Sequence, residues 1–396
     1  MPKPELMCPV KNFASLAACK NYADAVYFGV SDLSLRANAN QLKISELPKF
    51  VKTCHDYKIK AYLTLNSVLY NDTIPKAEKL IIAAKKSKVD AVIVWDPAAI
   101  ELAKKHKIKF FISTQANVSN YESAKFYQKL GASRVILARE LTLKQIAEIK
   151  KRVNIEIETF VHGAMCVSIS GRCILSAYLY DQSANCGSCA QPCRKPWTLT
   201  DEQGNKIETE GKYFLNPKDL CLIAHLPKLI KAGIDSFKIE GRLRDPRYIE
   251  TTARCYREAA DAYFAKTFTP AKVQNWKNQL ASVYNRGFST GFYFGAPGKQ
   301  GISYDQADNL SAAKKILIGH VTHFYKNINV VAILLDHRGL KIGAEIYLEG
   351  KTTYLKHKIT SMQINNKNIF RARKGQQIAI KISDRARKND NVFIIK

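Results

Sequence analysis

Short apolar runs alternate with amphipathic stretches over the first 265 residues, a pattern that predicts strand, helix, strand in repetition. The apolar runs fall at residues 5–10, 25–29, 61–66, 91–96, 110–114, 134–140, 156–162 and 236–240. The amphipathic stretches fall at 12–22, 45–58, 73–87, 97–105, 120–130, 142–153, 218–232 and 246–265. Eight such pairs predict an α/β fold of the TIM-like (β/α)8 type over residues 1–265. An open, doubly wound sheet is the runner-up, because periodicity does not encode closure. Polar side chains stand where the apolar runs stop: Asn66, Asp96, Gln115, Asn117, Arg139, Glu140, His162, Glu240 and Arg242. In a barrel these positions converge on the face that carries the active site. Each alone reads equally well as a helix cap or a satisfied buried polar group.

The pattern then changes. Residues 266–314 are helical and turn-rich, and residues 315–396 become short alternating strands at 316–322, 329–335, 345–348, 358–363, 377–382 and 391–395. A small β-barrel is expected there. It carries sixteen Lys and Arg against five Asp and Glu, an excess of eleven positive charges, interleaved with Phe324, Tyr325, Tyr347, Tyr354 and Phe370. Such a mixture suits phosphate contact and base stacking, although aromatic residues also build cores. The whole chain is strongly cationic, at +28. That points to a polyanionic partner, with a general lysine bias as the bland explanation. No apolar run is long enough to span a bilayer, and the start lacks a signal-peptide segment, so a cytoplasmic protein with no membrane partner is expected.

Five of the ten cysteines fall between residues 166 and 193. Cys166-x6-Cys173-x15-Cys189-x3-Cys193 lies in the long stretch between the seventh predicted strand and its helix, residues 163–217, where such connections usually run about two to six residues. Clustered thiols in a reducing compartment point to metal or redox chemistry. Zinc favours paired short knuckles, such as Cys186-x2-Cys189 or Cys189-x3-Cys193. An iron–sulfur cluster tolerates uneven spacing because each thiolate binds its own iron. Both remain open on spacing. Cys221, at the predicted start of the next helix, is close enough in sequence to add a ligand. Cys8, Cys19, Cys54 and Cys255 sit in apolar runs and read as buried thiols.

Several segments together carry a family resemblance. Glu158-Thr-Phe-Val-His-Gly-Ala-Met-Cys166, Ser170-Gly-Arg-Cys173 and Cys189-Ala-Gln-Pro-Cys193-Arg resemble the signature of the collagenase-like peptidase family of unknown catalytic type. So do Tyr27-Phe-Gly, Leu35-Arg-Ala-Asn38, Ser113-Thr-Gln-Ala-Asn117, Leu137-Ala-Arg-Glu140, Phe237-Lys-Ile-Glu-Gly-Arg242 and Arg286-Gly-Phe-Ser-Thr-Gly291. Several branches of that family hydroxylate without molecular oxygen. The resemblance is nearest to the branch that converts the wobble uridine of tRNA to 5-hydroxyuridine with prephenate as oxygen source. It implies a 4Fe–4S cluster on Cys166, Cys173 and Cys189, with Cys193 or Cys221 as fourth ligand. It also implies tRNA, through its anticodon arm, as partner, and some relatives add a paralogous subunit.

On that footing Arg36, Arg139, Arg172 and Arg242 are candidates to hold a dicarboxylate by bidentate contacts. Asn66, Gln115, Asn117 and Glu240 would line the same pocket, and His162 and Glu140 are candidate proton carriers. The Arg139-Glu140 and Glu240–Arg242 pairs read equally as an internal ion-pair network. A peptidase is the competing reading. Gly287-Phe-Ser-Thr-Gly291 fits a nucleophile-elbow pattern, but that pattern needs a strand before the serine and a helix after it. A cysteine peptidase would need a free thiol beside His162. A third class is a non-catalytic iron–sulfur scaffold.

Overall fold

The computed structural model describes residues 2–30, 33–35, 42–306 and 308–396. Seven strands run parallel in chain order: β1 (Glu5–Pro9), β2 (Ala25–Gly29), β3 (Lys60–Thr64), β4 (Ala91–Val94), β5 (Phe110–Ile112), β6 (Arg134–Ile136) and β7 (Glu156–Gly163). The connecting segments carry α1 (Phe13–Cys19), α2 (Leu47–Asp56), α3 (Ile74–Lys86), α4 (Pro97–Lys105), α5 (Tyr121–Lys129) and α6 (Leu143–Arg152). The strands are buried on both faces, as in β4, all of whose residues are inaccessible. That is why they read as uninterrupted apolar runs. Helix starts follow local chemistry: Pro97 occupies the first turn of α4 while Asp96 caps it, accepting from the Ala98 amide at 2.9 Å.

After β7 the chain leaves the barrel. The excursion contains α7 (Leu175–Tyr180) and a hairpin of β8 (Leu199–Thr200) and β9 (Lys206–Ile207). It returns through β10 (Asp219–Cys221), which pairs antiparallel with the end of β7, Leu220 opposite Gly163 and Cys221 opposite His162. The expected helix over 218–232 is thus shorter, α8 (Leu226–Lys231), with Pro227 in its first turn. Residues 219–221 instead satisfy their backbone in the sheet, where β10 also pairs parallel with β12 (Phe288–Ser289). β11 (Ser236–Ile239) then lies parallel between β7 and β1 and closes an eight-stranded TIM-like barrel among the described residues. α9 (Pro246–Phe264) and α10 (Pro270–Ala281) follow.

Charged residues fill the barrel's interior toward the strand N-termini. Arg134, 3% exposed, donates to Glu5 at 2.6 Å, Glu158 at 2.9 Å and Glu156 at 2.8 Å. Lys238 donates to the other oxygen of Glu158 at 3.0 Å. Burial works against the charges of Glu5, Arg134 and Lys238. The Arg134 guanidinium nevertheless holds the Glu5 carboxyl below its ordinary pKa.

The chain divides into two compact units, residues 1–11 with 19–310, and residues 12–18 with 311–396. In the second, an eight-stranded antiparallel sheet has the order β17-β16-β22-β13-β14-β21-β18-β19. Its longer members are β13 (Lys315–Tyr325), β14 (Val330–Leu334), β16 (Glu345–Glu349), β17 (Tyr354–Lys358), β21 (Gln377–Lys381) and β22 (Asn391–Ile395). β18 (Gln363–Ile364) and β19 (Lys367–Asn368) form a short terminal hairpin, and β15 (Leu340–Lys341) pairs with β20 (Arg371–Ala372). The strand expected at 358–363 is displaced to β17, which pairs with β16. One apolar core, centred on Ile318, Val331, Ile346, Leu348, Ile378 and Val392, underlies the sheet. Of the interleaved aromatics, Tyr347 and Tyr354 are buried and Phe324 packs on the core, whereas Tyr325 and Phe370 stand exposed. No described helix is long and apolar enough to cross a membrane.

Candidate functional site

The excursion begins where β7 and β11 approach most closely. Gly163 has φ +102°, and a Cβ there would lie 2.3 Å from the Glu240 carbonyl oxygen, so only glycine lets the chain peel away. Cys166 follows immediately, and its sulfur accepts from the Ser168 amide at 3.4 Å. Cys173 is fixed through its own amide, which donates to the Asn185 side chain at 3.3 Å. The Cys189 sulfur accepts from the Gln191 amide at 3.3 Å, and Cys193 sits in the short turn Pro192–Arg194. These four cysteines line one cavity of about 80 Å³. Burial raises the pKa of the Cys193 thiol, and its neighbours Cys166 and Cys189 raise it further.

Arginines surround the thiols. Arg194 donates to the backbone oxygens of Met165 and Pro217 and to the Asn216 side chain, tying the Cys193 turn to the Cys166 turn and to the chain entering β10. Arg286 is buried against Asp219 at 3.3 Å, and its Nε has no hydrogen-bond partner. Burial and the Arg286 charge together push Arg194 down to about 10. Arg194, Arg244 and Arg286 all line the cavity, which makes its walls cationic and suited to an anionic occupant.

Cys221 lies elsewhere. It does not line that cavity, and its thiol is hydrogen-bonded to Tyr256 and pushed up to about 11 by burial. Cys186 is also apart, in contact with Tyr70. Cys8, Cys19, Cys54 and Cys255 are buried thiols. Among the described residues, no three His, Cys, Asp or Glu side chains converge on a point where they could hold a metal ion.

A second, polar pocket of about 50 Å³ occupies the C-terminal ends of the barrel strands. Asn66, Gln115, Arg139, Glu240 and Arg242 line it. Arg242 is buried and donates to Thr64 at 2.9 Å and to the Leu35 carbonyl, and Asn66 accepts from the Leu35 amide at 3.1 Å. Arg139 lies over the Phe160 ring at 3.8 Å and donates to the Ala164 carbonyl at 2.8 Å. Glu240 accepts from the Tyr27 hydroxyl at 3.1 Å and lines the cysteine cavity as well, as does Cys166. Lys238 also belongs to this lining, and sequence reasoning passed over it. Its signal was a lysine inside an otherwise apolar strand. Burial lowers its pKa while Glu158 opposes the change.

The remaining candidates scatter. Glu140 is exposed at the rim of a neighbouring groove. Arg172 is exposed, 5.1 Å from the Trp95 ring, and donates to the Gln115 carbonyl at 3.4 Å. Asn117 adopts a left-handed conformation, φ +52°, and lines neither pocket. Arg36 lies outside the described residues. His162 shares strand parity with Glu158 and Phe160, yet a bulge between β7 and β11 changes the register at this point. His162 is therefore enclosed by Tyr248, Tyr256 and Phe288, and burial pushes it down to about 3. It lines neither pocket.

His162 and Cys221 face each other in register, but one is held as neutral imidazole and the other as neutral thiol. That is the reverse of an activated thiolate–imidazolium pair. Ser289 lacks the elbow context too, because its two-residue strand is followed by a turn at Gly291, φ +56°.

The imidazole has a measurable consequence. The unfolded ring binds a proton near its ordinary 6.5, and the folded ring refuses it until about 3. Stability supplied by this group is complete above 6.5 and declines as pH falls toward 3. Urea midpoints across that range are expected to fall more steeply for the native protein than for His162→Gln.

Residues 12–303 match a family described as peptidase family U32. An uncharacterized protease of Methanocaldococcus jannaschii is 44% identical over 403 residues, covering 99% of this chain and 98% of its own. A collagenase of Porphyromonas gingivalis is 36% identical over 404 residues, covering 98% and 97%. The tRNA hydroxylation protein P1 of Bacillus subtilis is 37% identical over 304 residues, covering 75% and 72%.

Proposed function

This chain belongs to peptidase family U32, as its motifs imply, and we propose that it is an iron–sulfur tRNA-modifying oxidoreductase. The reaction is O2-independent hydroxylation of the wobble uridine to 5-hydroxyuridine, with prephenate as oxygen donor. One observation carries the reading: Cys166, Cys173, Cys189 and Cys193 line a single arginine-walled cavity that shares Cys166 and Glu240 with the strand-end pocket.

The four cysteines are the donor set we assign to a 4Fe–4S cluster, with structural zinc as the competing occupant. A cubane gives each thiolate its own iron. The amides of Ser168 and Gln191 already donate to two of the sulfurs, as tuning of a cluster requires. Cys193, not Cys221, would complete the set. When bound, the cluster would supply electron transfer beside the pocket.

The chain's own residues do the rest. Arg139, Lys238 and Arg242 would surround one carboxylate end of the donor, the part that a space of about 50 Å³ admits. Asn66 and Gln115 would add polar contacts, and Glu140, exposed at the rim of the neighbouring groove, would carry a proton. The cationic C-terminal sheet, with Tyr325 and Phe370 exposed, would grip the anticodon arm.

Nucleoside mass spectrometry of tRNA from a strain lacking this protein tests the reading. Loss of 5-hydroxyuridine-derived nucleosides is expected, and their persistence at wild-type level would overturn it. The collagenase name of a full-length relative keeps a peptidase as the second reading. Degradation of gelatin by the purified protein, abolished by Ser289→Ala, would favour it.

A further inference from the structure

We infer that the groove between the cysteine excursion and the turn at residues 289–302 seats one unpaired pyrimidine nucleotide, separate from the strand-end pocket. This deepens the RNA-modification reading and rests on it.

Three cavities have Cys166 in their walls: the cysteine cavity, the strand-end pocket and this groove. They measure about 80, 50 and 380 Å³. One water needs roughly 10–15 Å³, so the first two admit only small groups. Pockets for whole ligands begin near about 300 Å³. Of the three, the groove alone reaches that size.

Its chemistry suits a base. Met165, Phe292, Pro297 and Ile302 offer apolar surface for a ring face. At Gly291 the wall is bare backbone, and a Cβ there would come within 3.1 Å of the Leu220 side chain. The Ser289 hydroxyl, in the same lining, accepts from the Gly291 amide at 3.2 Å and can donate its own proton to the polar edge of a pyrimidine. Arg139 and Lys218, both half-buried in the lining, put positive charge where a ribose-phosphate would lie.

Position completes the argument. Arg139 belongs to the linings of both the groove and the strand-end pocket, so one side chain spans the two. A reaction that moves an oxygen atom from a small acid to a base needs both reactants side by side. Two adjoining chambers of unlike size and polarity provide that arrangement. A base entering the groove must first leave its stack, which an anticodon loop allows at little cost.

The test uses the full-length, anaerobically purified protein and an anticodon stem-loop carrying 4-thiouridine at the wobble position. After irradiation, cross-linked peptides are expected from residues 165–170 or 289–302. Ile169→Trp narrows the groove from an exposed position. It is expected to lower cross-link yield and hydroxylation by about tenfold or more, the scale of one lost base contact, with iron content unchanged and stem-loop affinity falling by no more than the same factor. Cross-links confined to other segments, an undiminished yield in Ile169→Trp, or displacement of the RNA by a gelatin peptide would each overturn the assignment while leaving tRNA hydroxylation standing. A wild-type protein that neither cross-links to nor hydroxylates the RNA overturns the RNA reading and the groove with it.

Discussion

Cys193→Ala is expected to strip iron and acid-labile sulfide from protein purified without oxygen, whereas Cys221→Ala leaves both in place. The wild-type value should be about four irons per chain, falling below about one in Cys193→Ala. The two cysteines are equally plausible ligands by spacing, and their surroundings separate them. Cys193 shares its cavity with Cys166, Cys173 and Cys189, and Arg194 braces its turn against Met165. Cys221 is hydrogen-bonded to Tyr256 on the far side of β10, where burial keeps it a neutral thiol at about 11. Ligation would require pulling that thiol out of its sheet. Cys173→Ala should behave like Cys193→Ala. Iron assay, visible absorption and EPR read all three variants, and retention of a full cluster in Cys193→Ala would reassign the fourth ligand. A colourless wild-type protein holding one zinc would overturn the cofactor itself.

The second large effect is on stability. Arg134→Met is expected to cost about 3 kcal/mol, the low end of what breaking a buried ion pair costs, read from urea unfolding at neutral pH, because it leaves the buried Glu5 and Glu158 with one lysine each, Lys60 and Lys238. Arg134 is the common partner of Glu5, Glu156 and Glu158, and Glu158 is fully buried. Lys238→Met should cost less, since Glu158 keeps Arg134. The pH dependence has a definite sign. In the native protein Glu5 is held below its ordinary pKa, so its contribution is present above that value and lost as pH falls. In Arg134→Met the same carboxyl keeps only Lys60 at 3.0 Å and the Tyr62 hydroxyl at 2.9 Å, so its pKa rises and acid costs the variant less than it costs the native protein. The gap between the two proteins should therefore narrow on acidification. A gap that stays constant from pH 7 to 4 would show that packing, rather than charge, dominates the loss.

The barrel strands were legible in the sequence because the fold buries both their faces. Helix starts were legible where a cap and a proline coincide, as at Asp96-Pro97 and Asp245-Pro246. β10 was not, because three residues paired through backbone alone leave no periodic trace. Nor was the interior ion network, whose partners stand 22 to 129 residues apart. At the site, the ends of the apolar runs pointed to Asn66, Gln115, Arg139, Glu240 and Arg242, and these five residues line one pocket. His162 ends a run as well yet lines neither pocket, because the bulge beside it shifts β7 against β11, and a bulge has no sequence signature of its own. The groove escaped notice for a related reason: turns rich in glycine and proline carry no period to read.

The pairing of Leu220 with Gly163 has a consequence for assembly. It draws together the departure and return points of a detour of more than fifty residues, so the detour's length adds only slowly to the entropy of closing it. The barrel can thus close independently of that lobe, and opening of the lobe is a local event. Variation in the lobe's reach or contents is in turn cheap for the scaffold, which offers a physical route by which one barrel comes to serve several chemistries.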